Sequence, residues 1–396
     1  MNRIAKAASA FIFLAFASAR ASAFLATSEK YGYSIDFPEG YRISDMTEDE
    51  SSIMFDSAYL EAHALIRVWE AERFAGSEEA MRLAMTRLEA DAAYQGTVWR
   101  RQEATLASFS SPLLIPGEMA AGWGLTVPLP LRRGYLTVLS YAKQEFADDL
   151  MQVIVSVLDS VMIDDGSFTE PGIITATYFP REKEKAVSLK IGGKTVRTKM
   201  DEADAEANQF VIDREFSVFK FYADNGLPEV QDAWVRFYRI IGKDAALRLK
   251  KPSFDIYAAL KGDSGKKDPE NPNAALAQTL LSWTQTFGYE RASATPDKAD
   301  VTDIPSTLLG KGSDCDARSL LLTVLYRNLG IESCLFVSSE YGHAMVGALL
   351  EGKLGQTITV DGKEFLVGET TAEGLTFGMM DAAMQDRTKW IPVEMY

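Results

Sequence analysis

Two cysteines and two histidines stand in the whole chain, so a thiol–imidazole pair has few places to form. Cys315 lies in GKGSDCDARSLLLTVLYRNLG, residues 310–330. Ser313 and Asp316 have the S-x-x-[DE] spacing of a capping box. Ala317, Leu320, Leu321, Val324 and Leu325 then form an apolar stripe that stops at Gly330. The spacing predicts a helix with Cys315 in its first turn. Unpaired backbone N–H groups and the positive end of the helix dipole favour a thiolate there, and the same N–H groups can receive an oxyanion. Asp314 and Asp316 oppose that negative charge, so a cationic partner is needed. His343 supplies one. It follows the strand-like run 334–338, in Tyr341-Gly342-His343-Ala344, where Gly342 leaves room beside the ring. The next strand-like run, 364–368, ends in Glu369-Thr370-Thr371. A carboxylate at that end can accept the other imidazole N–H. Cys315, His343 and Glu369 thus read as nucleophile, base and orienter.

Competing readings of the same residues are weaker. Cys315 as a packed structural thiol has poor company for burial in Ser313, Asp314 and Asp316. A Cys315–Cys334 disulfide is disfavoured, because a helix from 315 to about 328 spans roughly 20 Å at 1.5 Å per residue. A bridge needs Cα atoms within about 7 Å. Cys334 reads as strand core. His63, in Ala62-His63-Ala64 of an alternating run, reads as structural. Gly262-Asp263-Ser264-Gly265 echoes the nucleophile segment of chymotrypsin-like serine proteases, but Lys266-Lys267 follows it and the run 261–273 reads as a polar loop. Asp263, Asp268, Glu270, Asn271 and Asn273 lack the spacing of a calcium loop. Trp234, Phe237 and Tyr238, at helical spacing, read as core.

The elements that must position these residues begin after a leader. Residues 1–23 combine Arg3 and Lys6, a short apolar run and the small-residue site Ala21-Ser22-Ala23, the pattern of a signal peptide. A periplasmic or secreted location is expected, with no integral membrane span after cleavage. The 396 residues carry 41 Lys and Arg against 56 Asp and Glu, a formal charge of −15. That sign argues against nucleic-acid binding, and the Cys and His counts argue against a zinc cage. Residues 24–165 read as an α/β sandwich: alternating runs at 33–38, 52–55, 62–69 and 135–141, a helix from Ser77, and a second from about 146 to 161. The succession resembles the PsbP/Mog1-like sandwich, with its strand followed by Phe37-Pro38-Glu39-Gly40-Tyr41. That likeness implies a binding or scaffolding unit, and through it an envelope protein partner. Residues 166–228 read as a β-rich connector. It contains a hairpin turn at Gly192-Gly193 and an acidic run, 201–206, expected to be a solvated loop. From 229 to 396 the pattern is helical and then mixed, with Asn273 expected to cap the helix that carries Leu276, Leu280, Trp283 and Phe287.

Residues from about 274 to 372 resemble the transglutaminase-like superfamily, relatives of the papain-like cysteine peptidases. The likeness rests on Phe287-Gly288-Tyr289, on Gly310-Lys311-Gly312-Ser313-Asp314-Cys315, on the Leu-rich helix ending Asn328-Leu329-Gly330-Ile331, on His343-Ala344 and on Glu369-Thr370-Thr371. It implies an α+β fold in which a helix bearing the cysteine packs on an antiparallel sheet. It implies Cys315 as nucleophile, His343 as base and then acid, Glu369 as orienter, and an upstream oxyanion donor at Gln285 or Trp283. Members commonly carry Asp where this chain has Glu369. The implied chemistry is attack on the amide of a peptide or protein, giving a thioester that water or a second amine resolves, with no metal or cofactor in the scheme. Two other classes stay open: a catalytically silent binding or assembly module on the same fold, and a scaffold whose active element is the N-terminal sandwich.

Overall fold

The computed structural model describes residues 25–291, 295, 298–352 and 354–396. The leader read at 1–23 lies outside the described residues. Alternation of apolar and polar side chains builds the N-terminal part. Strands β1 (Leu25–Ser28), β2 (Tyr33–Asp36), β3 (Tyr41–Met46), β4 (Ser52–Ser57) and β5 (Ala62–Trp69) lead to helix α1 (Ser77–Arg87). Strands β6 (Asp91–Trp99), β7 (Gln102–Ile115), β8 (Glu118–Leu129) and β9 (Gly134–Lys143) follow, then α2 (Met151–Asp159) and β10 (Val161–Met162). Seven strands form one antiparallel sheet in the order β3-β4-β5-β9-β8-β7-β6, while β1, β2 and β10 form a small one. The two-residue period divides β9 between two cores. Leu139 and Tyr141 pack with Met81 and Met85 of α1. Leu136 and Val138 pack on the other face with Ile35, Val153 and Val157. Helix α2 is shorter than its apolar spacing suggests, since turns occupy residues 144–150.

The segment 166–228 contains helix α3 (Ile173–Tyr178), hairpin strands β11 (Glu184–Ile191) and β12 (Lys194–Asp201), and helix α4 (Asp204–Asp224). The hairpin is as expected: Gly192 and Gly193 turn at φ of 57° and 80°, where a Cβ is disfavoured. The acidic run is not a solvated loop. Asp201 and Asp204 are buried. Asp204 opens α4 and pairs with Arg181 at 3.0 Å and Arg248 at 3.2 Å. The connector is therefore completed by a long helix, which ion pairing with distant arginines makes possible.

Four further helices, α5 (Val230–Arg248), α6 (Lys250–Lys267), α7 (Pro272–Thr284) and α8 (Ile304–Leu308), precede α9 (Cys315–Asn328). Strands β13 (Ser333–Ser338), β14 (His343–Ala348), β15 (Thr357–Val360), β16 (Lys363–Gly368) and β17 (Ile391–Val393) form an antiparallel sheet in the order β15-β16-β14-β13-β17. Helix α9 lies on β13 and β14, with Leu320, Leu321 and Leu325 fully buried. The run 261–273 is mostly helix rather than loop. Lys194 reaches the Ala259 carbonyl at 2.8 Å and pairs with Asp263, Ser264 bonds the Leu260 carbonyl, and Lys266 and Lys267 suit the negative end of the α6 dipole. Ser264 is thus a buried helical residue, far from a serine-protease arrangement. The cap of α7 is Asn271, whose side chain accepts from Ala274 N, with Pro272 in the first turn; Asn273 lies inside the helix. The chain is α+β with several antiparallel sheets, and among the described residues no helix is long and apolar enough to cross a membrane.

Helices α4 and α5 join the two halves. Val218, Tyr222 and Ala233 enter the same core as Ile35 and Phe37. Arg236 donates to the Asp36 carbonyl, to Ser156 and, at 2.6 Å, to Glu215.

Candidate active site

Cys315 opens α9, and its neighbours hold that turn in place. The cap is Asp314, which accepts from Ala317 N at 3.0 Å, rather than Ser313 as the capping-box spacing suggests. Ser313 instead bridges to Tyr289 and accepts from Arg318 Nε at 3.1 Å. The first turn is covered, and Cys315 is 2 % exposed, more buried than its polar neighbours lead one to expect.

His343 is the first residue of β14, opposite Ser338 of β13. Its Nε2 lies 2.7 Å from Glu369 Oε2. Glu369 stands immediately after β16, and its other oxygen accepts from Thr371 N at 2.7 Å and Thr371 Oγ1 at 2.6 Å. The carboxylate is therefore fully engaged and fixes the ring. The imidazole also interacts with the Cys315 side chain by hydrogen bonding and by charge. Burial disfavours an imidazolium, but Cys315 and Glu369 together overcome it and hold the His343 pKa up at about 10. Burial likewise disfavours the Glu369 anion, yet His343 and Thr371 hold its pKa below the ordinary value. The structure thus brings Cys315, His343 and Glu369 into one chain of contacts.

The flanking acids are partly neutralised. Burial pushes Asp316 up to about 7, helped by Asp314 and Asp300 and opposed by a hydrogen bond with Tyr238. Burial also raises Asp314. Arg318 supplies the positive charge on the other side. It is 1 % exposed, and its guanidinium donates only to neutral oxygens: Ser313 Oγ, the Thr370 carbonyl at 3.3 Å and the Phe287 carbonyl at 2.9 Å. A buried charge without a counter-ion is costly, so Arg318 favours negative charge nearby, and Cys315 and Glu369 are among the groups it acts on. Arg318 was not among the residues singled out in the sequence. The signal was a lone arginine on the buried face of an otherwise apolar helix, three residues after Cys315.

Gln285 ends α7. Its Nε2 donates to the carbonyls of Glu369 at 2.8 Å and Leu375 at 3.0 Å, and its Oε1 accepts from Gly374 N. Both amide N–H bonds are committed, so as placed Gln285 ties down the Glu369 strand end rather than offering a donor to an oxyanion. Trp283 packs edge-on against Phe287 and faces a hollow of about 800 Å³ between α7 and the Gly192 turn; that hollow includes none of Cys315, His343 and Glu369. A smaller cleft, about 230 Å³, opens at His343, between Phe216, Phe219 and Trp234 on one side and Asp316 and Gly342 on the other. Its aromatic wall includes residues that their helical spacing had marked as core alone.

The remaining candidates fall elsewhere. Cys334 is free and buried in β13, burial raises its thiol pKa, and its sulfur contacts the Val393 carbonyl. His63 bonds Asp56 at 2.7 Å and stacks on Tyr141, a structural place in β5. Among the described residues no group of His, Cys, Asp and Glu is arranged to hold a metal.

No family model and no curated protein matches the chain. Solved structures similar to it include cyanobacterial PsbP from Synechocystis sp. PCC 6803, at 12 % identity and TM-score 0.30, covering 37 % of this chain and 95 % of that one. The Ran-binding protein Mog1p of Saccharomyces cerevisiae is similar at 9 % identity and TM-score 0.26, covering 34 % and 92 %. A protein of Parabacteroides distasonis, provisionally described as a protease, is similar at 11 % identity and TM-score 0.20, covering 84 % and 69 %. PsbP and Mog1 are the two proteins whose sandwich the N-terminal sequence resembles. At these scores no family is defined, and the functional reading rests on the site.

Proposed function

We propose that the protein is a thiol-dependent amide hydrolase or acyltransferase of transglutaminase-like organisation, acting outside the cytoplasm on a peptide or protein. The observation that carries this is His343 held between Cys315 and Glu369. In the reaction the Cys315 thiolate attacks the amide carbon, and the free N–H groups of the first turn of α9 receive the oxyanion. His343 gives its proton to the leaving amine, the C–N bond breaks and a thioester remains. Water, losing its proton to His343, attacks the thioester, and the acid leaves with the thiolate restored. An amine in place of water gives a new amide. Glu369 keeps the imidazole oriented and charged; proton transfer of this kind contributes about 10²–10⁴-fold. The N-terminal sandwich fits a docking role toward an envelope partner.

The burial of Cys315 favours a second reading, a silent module that retains the fold. Alkylation by iodoacetamide separates the two, with Cys334 as the internal control. The enzyme reading expects Cys315 in the folded protein to react at neutral pH far faster than Cys334, and His343→Ala to slow it at least tenfold. Protection of both cysteines until unfolding, or indifference to His343, selects the silent module.

A further inference from the structure

The cleft beside His343 has the makings of a cation site. Its wall is aromatic: Phe219 stacks on Trp234 with centroids 6.4 Å apart, Trp234 meets Tyr238 at 6.0 Å, and Phe237 lies 4.9 Å from Tyr238. Phe219 and Trp234 are only partly buried, so their faces are open to an occupant. Its polar side carries Asp316 and Asp300, with Asp314 close behind. Arg291 is the cation among them, 3.6 Å from Asp300 and 3.7 Å from Asp314. Asp314 Oδ2 is buried without a hydrogen-bond donor. Among the described residues, three carboxyls thus share the Arg291 guanidinium, while the His343 imidazolium at the edge of the cleft is already engaged by Glu369 and Cys315. The repulsion is visible at Asp316, which burial and the two neighbouring acids push toward protonation. The region is short of positive charge, and the aromatic faces beside it attract cations through their quadrupoles. At about 230 Å³ the cleft is below the roughly 300–1,000 Å³ of a small-molecule site, and it suits one long side chain.

We propose that this cleft is the specificity subsite of the thiol centre, and that it takes a Lys or Arg side chain of the substrate, with the aliphatic stem along Phe219 and Trp234 and the cationic head at Asp316 and Asp300. The assignment rests on the thiol-enzyme reading for its purpose, but the recognition itself does not need turnover. An apolar occupant would leave the acids as they are; a cation restores the balance and draws Asp316 into its charged form. The cleft includes His343, so a side chain seated there brings the neighbouring peptide bond to the imidazole that acts on Cys315.

Binding is measured on the full chain carrying Cys315→Ala, which cannot turn over. The probes are alanine-based hexapeptides with one central Lys, Arg, norleucine, Phe or Glu. The expected result is at least tenfold tighter binding of the Lys or Arg peptide than of the norleucine and Glu peptides. That gap shrinks at high salt and with Asp316→Asn, and Trp234→Leu weakens the Lys peptide more than the norleucine peptide. Norleucine or Phe binding as tightly as Lys overturns the proposal, as does a Lys preference untouched by both variants, or no binding of any peptide. In wild-type protein the same series, assayed for cleavage or amine exchange, expects the Lys and Arg peptides to have the highest kcat/KM. Cation-selective binding without any turnover, together with an inert Cys315, sinks the thiol-enzyme reading and leaves the cation site standing.

Discussion

His343 sets the pH behaviour of the site. Its pKa is raised from 6.5 to about 10 by Cys315 and Glu369 against the effect of burial. A raised value means that the folded state holds the proton more tightly than the unfolded chain. The pairing therefore stabilises fully below about 6.5 and is lost as pH rises through about 10. Glu369 is shifted the other way, so its contribution is full above its ordinary value of 4.5 and is lost as pH falls through its lower folded value. Both contributions coincide from about pH 4.5 to 6.5. On the proposed reaction, activity is expected to fail on the alkaline side near pH 10, where His343 loses its proton. Glu369→Gln removes the charge that holds this proton while keeping the side chain's size. It should move the alkaline limb of kcat/KM toward neutral pH and lower the maximum by about 100-fold, the low end of the usual range for acid–base assistance. An alkaline limb that stays in place means that Glu369 only supports the strand.

The helix that carries Cys315 and the strand that leads to His343 were legible because each has a clear period. The apolar stripe after Cys315 marked α9, and the run of Val, Leu and Phe before Ser338 marked β13. What was not legible depended on partners far away in the chain. The run 201–206 looks like a solvated loop until Arg181 and Arg248 neutralise Asp204. The cap at Asp314 displaced Ser313 because Arg318 claims the serine hydroxyl. Cys315 looked exposed from its neighbours, but the burial of a helix end is decided by what packs on it. Arg318 shows the same dependence. It ties the turn before Cys315, the residue after Glu369 and the end of the α7 segment together through three acceptors. Arg318→Met leaves those oxygens buried without a donor, at about 1–3 kcal/mol for each that water cannot reach, which calorimetry or urea titration reads. Arg318→Lys keeps the charge but not the fork of donors. It should restore the alkylation rate of Cys315 at neutral pH more than it restores the melting temperature. A purely structural role moves both together.

The whole molecule is held by charges that ordinarily stay at surfaces. Asp36 of β2 is fully buried, gripped by both arms of Arg239 at 2.8–2.9 Å, and its backbone carbonyl accepts from Arg236. The hydroxyl of Tyr396 also donates to Asp36, so residues near opposite ends of the chain meet there. Arg214 pairs with Asp159 of α2 and with Glu215 of α4, and Arg236 of α5 shares Glu215. This network lies between the N-terminal sheet and the helices that line the cleft, so loosening it should reach the site. Removing one member of a buried ionic group costs about 3–5 kcal/mol, because the partner's charge stays buried. In Arg236→Met, Asp36 keeps Arg239 and Glu215 keeps Arg214, which places the expected loss at the lower end of that range. Urea unfolding followed by hydrogen exchange distinguishes the two parts of the chain. In wild type, β5 and β9 should lose protection at the same urea concentration as α9 and β14. In Arg236→Met the midpoint should fall and the two sets should separate, with the cleft helices α4 and α5 opening before the sheet they leave. Coincident loss of protection at an unshifted midpoint means that apolar contacts alone bind the halves and that the buried arginines do not set their union.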